Sequence, residues 1–359
     1  MQLLAELRSE APVVKSQEHG WMVLGHAEVM ELLLDHETFS NQVSSHLSIP
    51  NGMDPPQHTH FRSLIDSFFT PVAMAEFKPR CQEIVQELVA SLPRDEDIEA
   101  VTKVGEELAL RVQTAFMGWP ARIEESLRAW THANLEATRS RDQEAAAQVA
   151  QSFSDQVREI ILDDGRSPVD AISSLISAKV DGRSLAEEEI VSIVRNWTMG
   201  EVGTITSSVG IIVDHLARDA DLQSDLRSHP DDLGMAVDEI LRIHGPLMTN
   251  RRVATRRVEL AGQVINKGDR LTIMWPQANR DESVFGDADA FRPEANAPMN
   301  LLYGGGIHIC PGAPLARMQL TMITRELLQQ SSSIEPGKDP SQRAVFPSGG
   351  FAAVWVRLR

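Results

Sequence analysis

A chain of 359 residues, 42% of them hydrophobic, is long enough to bury a core of its own as one large domain. Aromatic residues make up only 5%, with a single tyrosine, Tyr303, while Leu, Ala, Glu and Arg abound, which excludes a sandwich or barrel in favour of helices. The formal net charge of −17 repels phosphate backbones and anionic lipid, so nucleic acid and membrane are set aside as partners.

The first residues, Met1 to Arg8, carry acid where a signal peptide needs a basic region and an unbroken apolar run. No apolar stretch of about twenty residues follows, so no spanning helix is expected. Trp21 to Gly25 reads as a strand and His26 to Leu34 as a helix. From Ser40 to Thr59, Ser, Asn, Gly, Pro and His gather without periodicity, which predicts a long loop of the kind that carries function. Helices are predicted to dominate from Phe61 to Val213, broken at Pro71, at Pro120 and around Asp163 to Ser167.

Ile190 to Leu216 is predicted as one long helix, with Ile190, Val194, Trp197, Glu201, Thr204 and Ser208 along one stripe that turns polar halfway. Gly200, Gly203 and Gly210 each cost about 1 kcal/mol against alanine there, and close approach or a kink would compensate. Alternating strands follow at Arg251 to Leu260, Gln263 to Ile265 and Arg270 to Trp275. Pro276 to Tyr303 reads as irregular, Pro314 to Gln330 as a final helix, and Val345 to Leu358 as a terminal hairpin around Ser348-Gly349-Gly350. The expected class is mainly α with a small sheet, drawn from about 11–25, 251–275 and 345–358, in a single domain spanning 1–359.

The only cysteines, Cys81 and Cys310, lie far apart without the spacing of a disulfide framework, which suits a reducing cytoplasm. A lone cysteine is ordinarily a small, inert core residue. Cys310 has different surroundings: Tyr303-Gly304-Gly305-Gly306-Ile307-His308-Ile309-Cys310-Pro311-Gly312 leads directly into a helix. Such a loop lets backbone pass close to something flat and presents the sulfur at a helix N-terminus, where free amides favour a thiolate and a soft metal can bind it. Three glycines, a histidine and a cysteine at these offsets arise by chance at roughly one in ten million positions, given average residue usage.

This segment resembles the haem loop of the cytochrome P450 superfamily, aromatic-Gly-x-Gly-x-His-x-Cys-x-Gly, continuing into Leu315-Ala316-Arg317, and the resemblance extends from about Trp21 to the C-terminus. It implies the P450 fold and a haem b (iron protoporphyrin IX) whose proximal ligand is Cys310, with Gly304, Gly306 and Gly312 shaping the loop. Thiolate ligation pushes electron density onto iron and favours O–O cleavage. Tyr303 stands where the family has phenylalanine beside the sulfur, and a buried phenol needs a partner.

Glu239 and Arg242 alone would be an i, i+3 surface pair. They match the family's Glu-x-x-Arg, a buried network bracing the haem loop. The arginine that completes it aligns with Ala295, and Arg292 is the candidate substitute. His58 and Arg62 match the family's His-Thr-x-x-Arg, while Arg252 and His308 match two further positions that meet haem propionates. Together they would form an anion cradle.

Gly200-Glu201-Val202-Gly203-Thr204 aligns with the family's Gly-Gly-x-Asp-Thr, where an acid and an alcohol relay protons to bound oxygen. Thr204 fits that pattern, but Gly203 stands in place of the acid. Glu201, three residues before Thr204, is expected to supply it. Val202, Leu247, Met248 and Phe351, with the loop around Ile49, correspond to family pocket positions.

The resemblance implies a monooxygenase that uses O2 and a small organic substrate. The chain carries neither a four-cysteine cluster motif nor a Gly-x-Gly-x-x-Gly fingerprint, so its electrons must come from a separate protein. For the family this is a ferredoxin or flavodoxin with its reductase, and Lys78, Arg80 and Arg317 are the cations expected to dock it. A peroxide-driven peroxygenase and a non-catalytic haem carrier are the alternatives.

Overall fold

The computed structural model describes residues 2–44, 46–140, 142–162 and 170–359. Helix α1 (Gln2–Glu10) precedes the hairpin β1 (Val13–Ser16) and β2 (Gly20–Val23), helix α2 (His26–Leu34) and β3 (Phe39–Ser40). An irregular stretch then leads to α3 (Gln57–Asp66) and α4 (Pro71–Ser91). Pro71 occupies the first helical position of α4, and the Thr70 hydroxyl accepts the Ala73 N–H at 3.2 Å, so the break predicted at Pro71 is a capped helix start.

Strand β4 (Asp97–Glu99) and a π-helical stretch, Val101–Glu106, run into α5 (Glu107–Met117), which Gly118 ends in the left-handed region. The bundle continues with α6 (Ile123–Ser140), α7 (Gln143–Leu162), α8 (Ala171–Ser177), the short pair β5 (Lys179–Val180) and β6 (Arg183–Ser184), and the long α9 (Glu187–Ala217). Three glutamates in its first turn complement the dipole of α9, and the Glu189 carboxylate accepts the Ala186 N–H at 2.8 Å. Then come α10 (Ala220–Ser228), α11 (Leu233–His244), β7 (Thr249–Ala254), β8 (Val258–Leu260), β9 (Gln263–Ile265) and β10 (Arg270–Met274). Three short helices, α12 (Trp275–Ala278), α13 (Glu282–Phe285) and α14 (Pro293–Asn296), precede α15 (Ala313–Gln330), and β11 (Ile334–Pro336), β12 (Gln342–Arg343), β13 (Phe351–Ala353) and β14 (Trp355–Leu358) close the chain.

One apolar core lies among α4, α5, α9, α11 and α15, with Leu88, Leu108, Val194, Ile240 and Leu327 nearly inaccessible to water. A second lies between α2 and a five-stranded sheet of order β1-β2-β10-β7-β3, in which only the β2–β10 pair is parallel. Trp21 and Val23 stand beside Leu271 and Ile273 on its buried face. Among the described residues no helix is long and apolar enough to cross a membrane.

Several elements differ from expectation. The run 251–260 divides into β7 and β8 because β7 is drawn to β3 and the Thr255 N–H donates to the Thr38 carbonyl at 2.9 Å. The stretch 276–303 contains α12 to α14, the second capped by the Asp281 carboxylate on the Ser283 N–H at 3.1 Å. Residues 345–358 do not form one hairpin and do not join the five-stranded sheet: β13 pairs back with β12, while β14 enters a separate sheet of order β11-β14-β4. The crossing is made at buried Val354, whose N–H reaches Glu99 Oε1 at 2.8 Å and whose carbonyl accepts the Ala100 N–H at 2.7 Å. Strands β4, β5 and β6 are too short to register as alternation. The break predicted at Asp163 to Ser167 lies outside the described residues.

Candidate active site

Cys310 sits between a closed turn and a helix. Its N–H donates to the Tyr303 carbonyl at 2.9 Å, and the N–H groups of Gly312 and Ala313, at the start of α15, point at its sulfur. Cys310 is a free cysteine with an accessible side. Enough protein surrounds the sulfur for burial to raise its pKa, opposed by those two amides, raised further by Glu201 and lowered by Arg62. Gly306 has φ +64°, and a Cβ there would lie 1.9 Å from the Leu33 carbonyl oxygen. The close approach that requires this glycine is therefore to the end of α2. A Cβ at Gly312 would stand 4.0 Å from the Cys310 sulfur, and Gly304 turns the loop at φ +72°.

The structure brings His58, Arg62, Arg252 and His308 together. The His58 and His308 rings are 4.3 Å apart, and the Nε2 of each is buried with no hydrogen-bond partner. Burial and neighbouring cations lower both histidines, His308 to about 3. Arg252 is 5% exposed; its hydrogen bond runs to the Arg251 carbonyl at 2.8 Å, and burial pushes its pKa down to about 10. Arg62 is tied to Asp66 at 2.6 Å and to the Ile307 carbonyl, within the cysteine loop, at 3.1 Å. Asp54, whose charge acts on His58 and Arg252, is engaged by Ser40 at 2.5 Å and the Asn41 N–H at 3.1 Å. Buried donors without acceptors, clustered about a cysteine loop, suit a bound group with carboxylates on its edge and a metal at its centre. His36, absent from the sequence reading, adds its charge to this field at His58 and His308.

Glu239 and Arg242 are 1% and 0% exposed and form a bidentate pair at 2.7 and 2.8 Å. Arg242 also donates to the carbonyls of Asn279 at 2.7 Å and Ala288 at 3.1 Å. Burial works against the Glu239 charge, yet Arg242, the Arg292 N–H at 3.0 Å and Asn296 Nδ2 at 2.6 Å hold its carboxyl below the usual range. The expected guanidinium substitution is thus corrected: Arg292 offers its backbone, and Asn296, one residue past Ala295, supplies the side chain. An amide can occupy that place because one neutral donor completes a carboxylate already paired with Arg242.

On α9, Thr204 Oγ1 donates to the Gly200 carbonyl at 2.5 Å. A Cβ at Gly200 or Gly203 would meet nothing within 4 Å, so neither is needed for close packing. Gly210 is, since a Cβ there would lie 2.9 Å from Val101. The Glu201 carboxyl turns towards α15 and accepts a hydrogen bond from Gln319 Nε2. Burial pushes it up to about 7, against that hydrogen bond. Gln319 is fully buried on α15 among Leu315, Leu320 and Ile323, with Thr324 as the other buried polar side chain of that helix.

Of the pocket candidates, Val202 is buried in the helical core, Phe351 lies under the Arg343 guanidinium at 4.2 Å, Leu247 is exposed and bridges to Ser348, and Met248 accepts the Trp275 N–H at 3.1 Å. Ile49 is fully buried, its N–H held by Ser192 Oγ at 3.0 Å. Arg80 pairs with Glu83 at 3.0 Å and Arg317 with Asp238 at 2.8 Å, whereas Lys78 is exposed with no ion pair among the described residues.

Comparison with known proteins agrees with this geometry. The family model described as Cytochrome P450 matches residues 233–351. The putative cytochrome P450 YjiB of Bacillus subtilis (strain 168) is 29% identical over 92% of this chain and 86% of its own. Erythromycin C-12 hydroxylase of Saccharopolyspora erythraea is 27% identical over 96% of this chain and 90% of its own. The crystal structure of CYP109E1 from Bacillus megaterium, in complex with testosterone, superposes with a TM-score of 0.89 at 26% identity, covering 100% of this chain and 99% of that one. Such relatives favour oxygen insertion over the peroxygenase and carrier alternatives. The family match, the curated relatives and the shared fold support a bacterial cytochrome P450, a haem-thiolate monooxygenase that takes a substrate, O2 and electrons from a redox partner.

Proposed function

We propose that Cys310 is the proximal ligand of a haem b held within a single domain spanning residues 1–359. The observation that carries this reading is the sulfur at the start of α15, under the Gly312 and Ala313 amides, on a loop whose His308 ring nitrogen, like that of His58 beside it, is buried without a hydrogen-bond partner. His58, Arg62, Arg252 and His308 would meet the propionates, and Gly304, Gly306 and Gly312 would let the loop close around the sulfur. The pair Glu239–Arg242, completed by Asn296, would brace the segment ahead of that loop. Bound there, the haem iron supplies the oxygen-activating chemistry.

Thr204 holds a proton at Oγ1 on the Gly200 carbonyl and is the alcohol of the relay. Glu201, with a carboxyl that exchanges its proton near neutrality, is the acid in place of Gly203. Val202, Leu247, Met248 and Phe351 would shape the space for a small organic substrate. A ferredoxin or flavodoxin, served by its reductase, would donate electrons through the face bearing Lys78, Arg80 and Arg317. Free Cys81 and Cys310 suit the cytoplasm.

The test is optical. The reduced protein under carbon monoxide should give the long-wavelength Soret band of a thiolate-ligated haem, and Cys310→Ser should abolish that band. An unchanged band in the variant would overturn the assignment.

A further inference from the structure

Tyr303 is the residue that departs from the family pattern beside the sulfur, and its hydroxyl has a specific partner. It donates to Asp238 Oδ1 at 3.2 Å, while Arg317 Nε donates to Asp238 Oδ2 at 2.8 Å. The Arg317 guanidinium also lies over the Tyr303 ring, 4.3 Å from its centroid. Three elements are thereby tied together: the cysteine loop through Tyr303, α11 through Asp238, and α15 through Arg317. Asp238 neighbours Glu239, so adjacent carboxylates of α11 brace two different stretches of chain, and the Asp238 carbonyl accepts Asn300 Nδ2 at 3.1 Å.

The charges of this trio reach the sulfur unequally. The Tyr303 carbonyl accepts the Cys310 N–H at 2.9 Å, so the guanidinium of Arg317 stacked on that ring stands beside the turn that holds the sulfur, whereas Asp238 meets Arg317 and the uncharged Tyr303 hydroxyl. The Asp238 side chain is 19% exposed and that of Arg317 51%, so the carboxylate sits inside the cation. From another direction, Glu201 on Gln319 opposes the thiolate, as Arg62 favours it.

We propose that Asp238, Arg317 and Tyr303 form a charge-balanced tether that sets the electron density on Cys310, with Arg317 as the acting cation and Asp238 as its counterweight. This rests on the ligation proposed above. Reduction by one electron adds a negative charge to the ligated group without a proton, so a nearby cation favours it and a nearby carboxylate opposes it. A tether that merely held the loop would lose potential control in one direction whichever member was removed. A balance of charges gives opposite signs.

The experiment is a potentiometric titration of the haem-loaded protein with dithionite and mediator dyes, together with the ferrous carbon monoxide spectrum of each variant. Arg317→Gln should lower the reduction equilibrium severalfold, and Asp238→Asn should raise it severalfold. The double variant should return towards the parent, and Tyr303→Phe should give a small shift in the direction of Arg317→Gln. Arg317→Lys, which keeps charge without the planar fork, should stay near the parent and keeps the test open if Asp238→Asn does not fold. Shifts of one sign throughout, or none, with the thiolate band intact, would overturn the tether. Loss of the thiolate band in the parent itself would instead overturn ligation by Cys310.

Discussion

The two sides of the site are built on different principles. On the cysteine side, consecutive residues form a turn fixed by several independent contacts: the Cys310 N–H on Tyr303, Arg62 on the Ile307 carbonyl, and Gly306 against Leu33. On the oxygen side, Thr204 and Glu201 ride on α9, whose backbone bonds form whatever the side chains are. Change is therefore cheap on the helix and costly in the loop, and the departures from the family pattern follow that division. Gly203 and Glu201 alter the chemistry of α9 without altering its course. Tyr303 alters the loop only by recruiting Asp238.

The largest effect should come from the brace behind the cysteine side. Glu239→Ala or Arg242→Ala leaves one buried charge unpaired, at a cost of about 3–5 kcal/mol. Urea unfolding of the haem-loaded protein should report that loss together with reduced haem retention. Asn296→Ala, which removes one neutral donor, should cost about 1–2 kcal/mol. If the ion-pair variants cost no more than the amide variant, the contrast between a rigid side and a tolerant side fails.

Next in size is Gly306→Ala. A left-handed backbone and a Cβ at 1.9 Å from a carbonyl oxygen cannot both be relieved without moving the loop away from α2, so a loss of about 3 kcal/mol is expected in the same unfolding assay.

This distinction also marks what the sequence made legible. The loop was readable because backbone geometry forces residue types at fixed offsets, and α9 and α15 because long helices repeat their apolar stripe. Asn296, Gln319 and Asp238 were not, since each acts on a residue brought to it by tertiary packing and no spacing rule links them. The reason for Gly306 was half legible: the need for close approach was plain, but its object, the carbonyl of Leu33, lies on a different element. Residues 345–358 were misassigned because pairing is decided at Val354 by Glu99 and Ala100, far back in the chain.

Glu201→Gln probes the tolerant side. The carboxyl is raised from 4.5 to about 7, so native and unfolded chains both hold the proton below 4.5 and no penalty exists there. As pH rises from 4.5 through about 7 the unfolded chain ionises first, and the parent loses stability before levelling off. The glutamine variant lacks that slope. The two stability curves should coincide in acid and separate by about 2 kcal/mol in favour of the variant above neutrality, a figure reduced for the partial exposure of the side chain. The relay role adds a second readout: product formed per electron consumed should fall, and normal coupling would remove Glu201 from the relay.

The smallest expected effect belongs to Gly203, and its sign is the sharpest contrast with Gly306. A methyl group at 203 meets nothing within 4 Å and the position is helical, so Gly203→Ala should stabilise the fold by about 1 kcal/mol through backbone entropy alone. Placing the family's acid there, as Gly203→Asp, should then restore coupling to the Glu201→Gln background if the only thing missing is a proton donor one residue before Thr204. A double variant that stays uncoupled would mean that α9 depends on the carboxyl being held where Gln319 holds it, on the side facing α15. In that case the oxygen side would be as constrained as the cysteine side, through a side-chain partner instead of a turn.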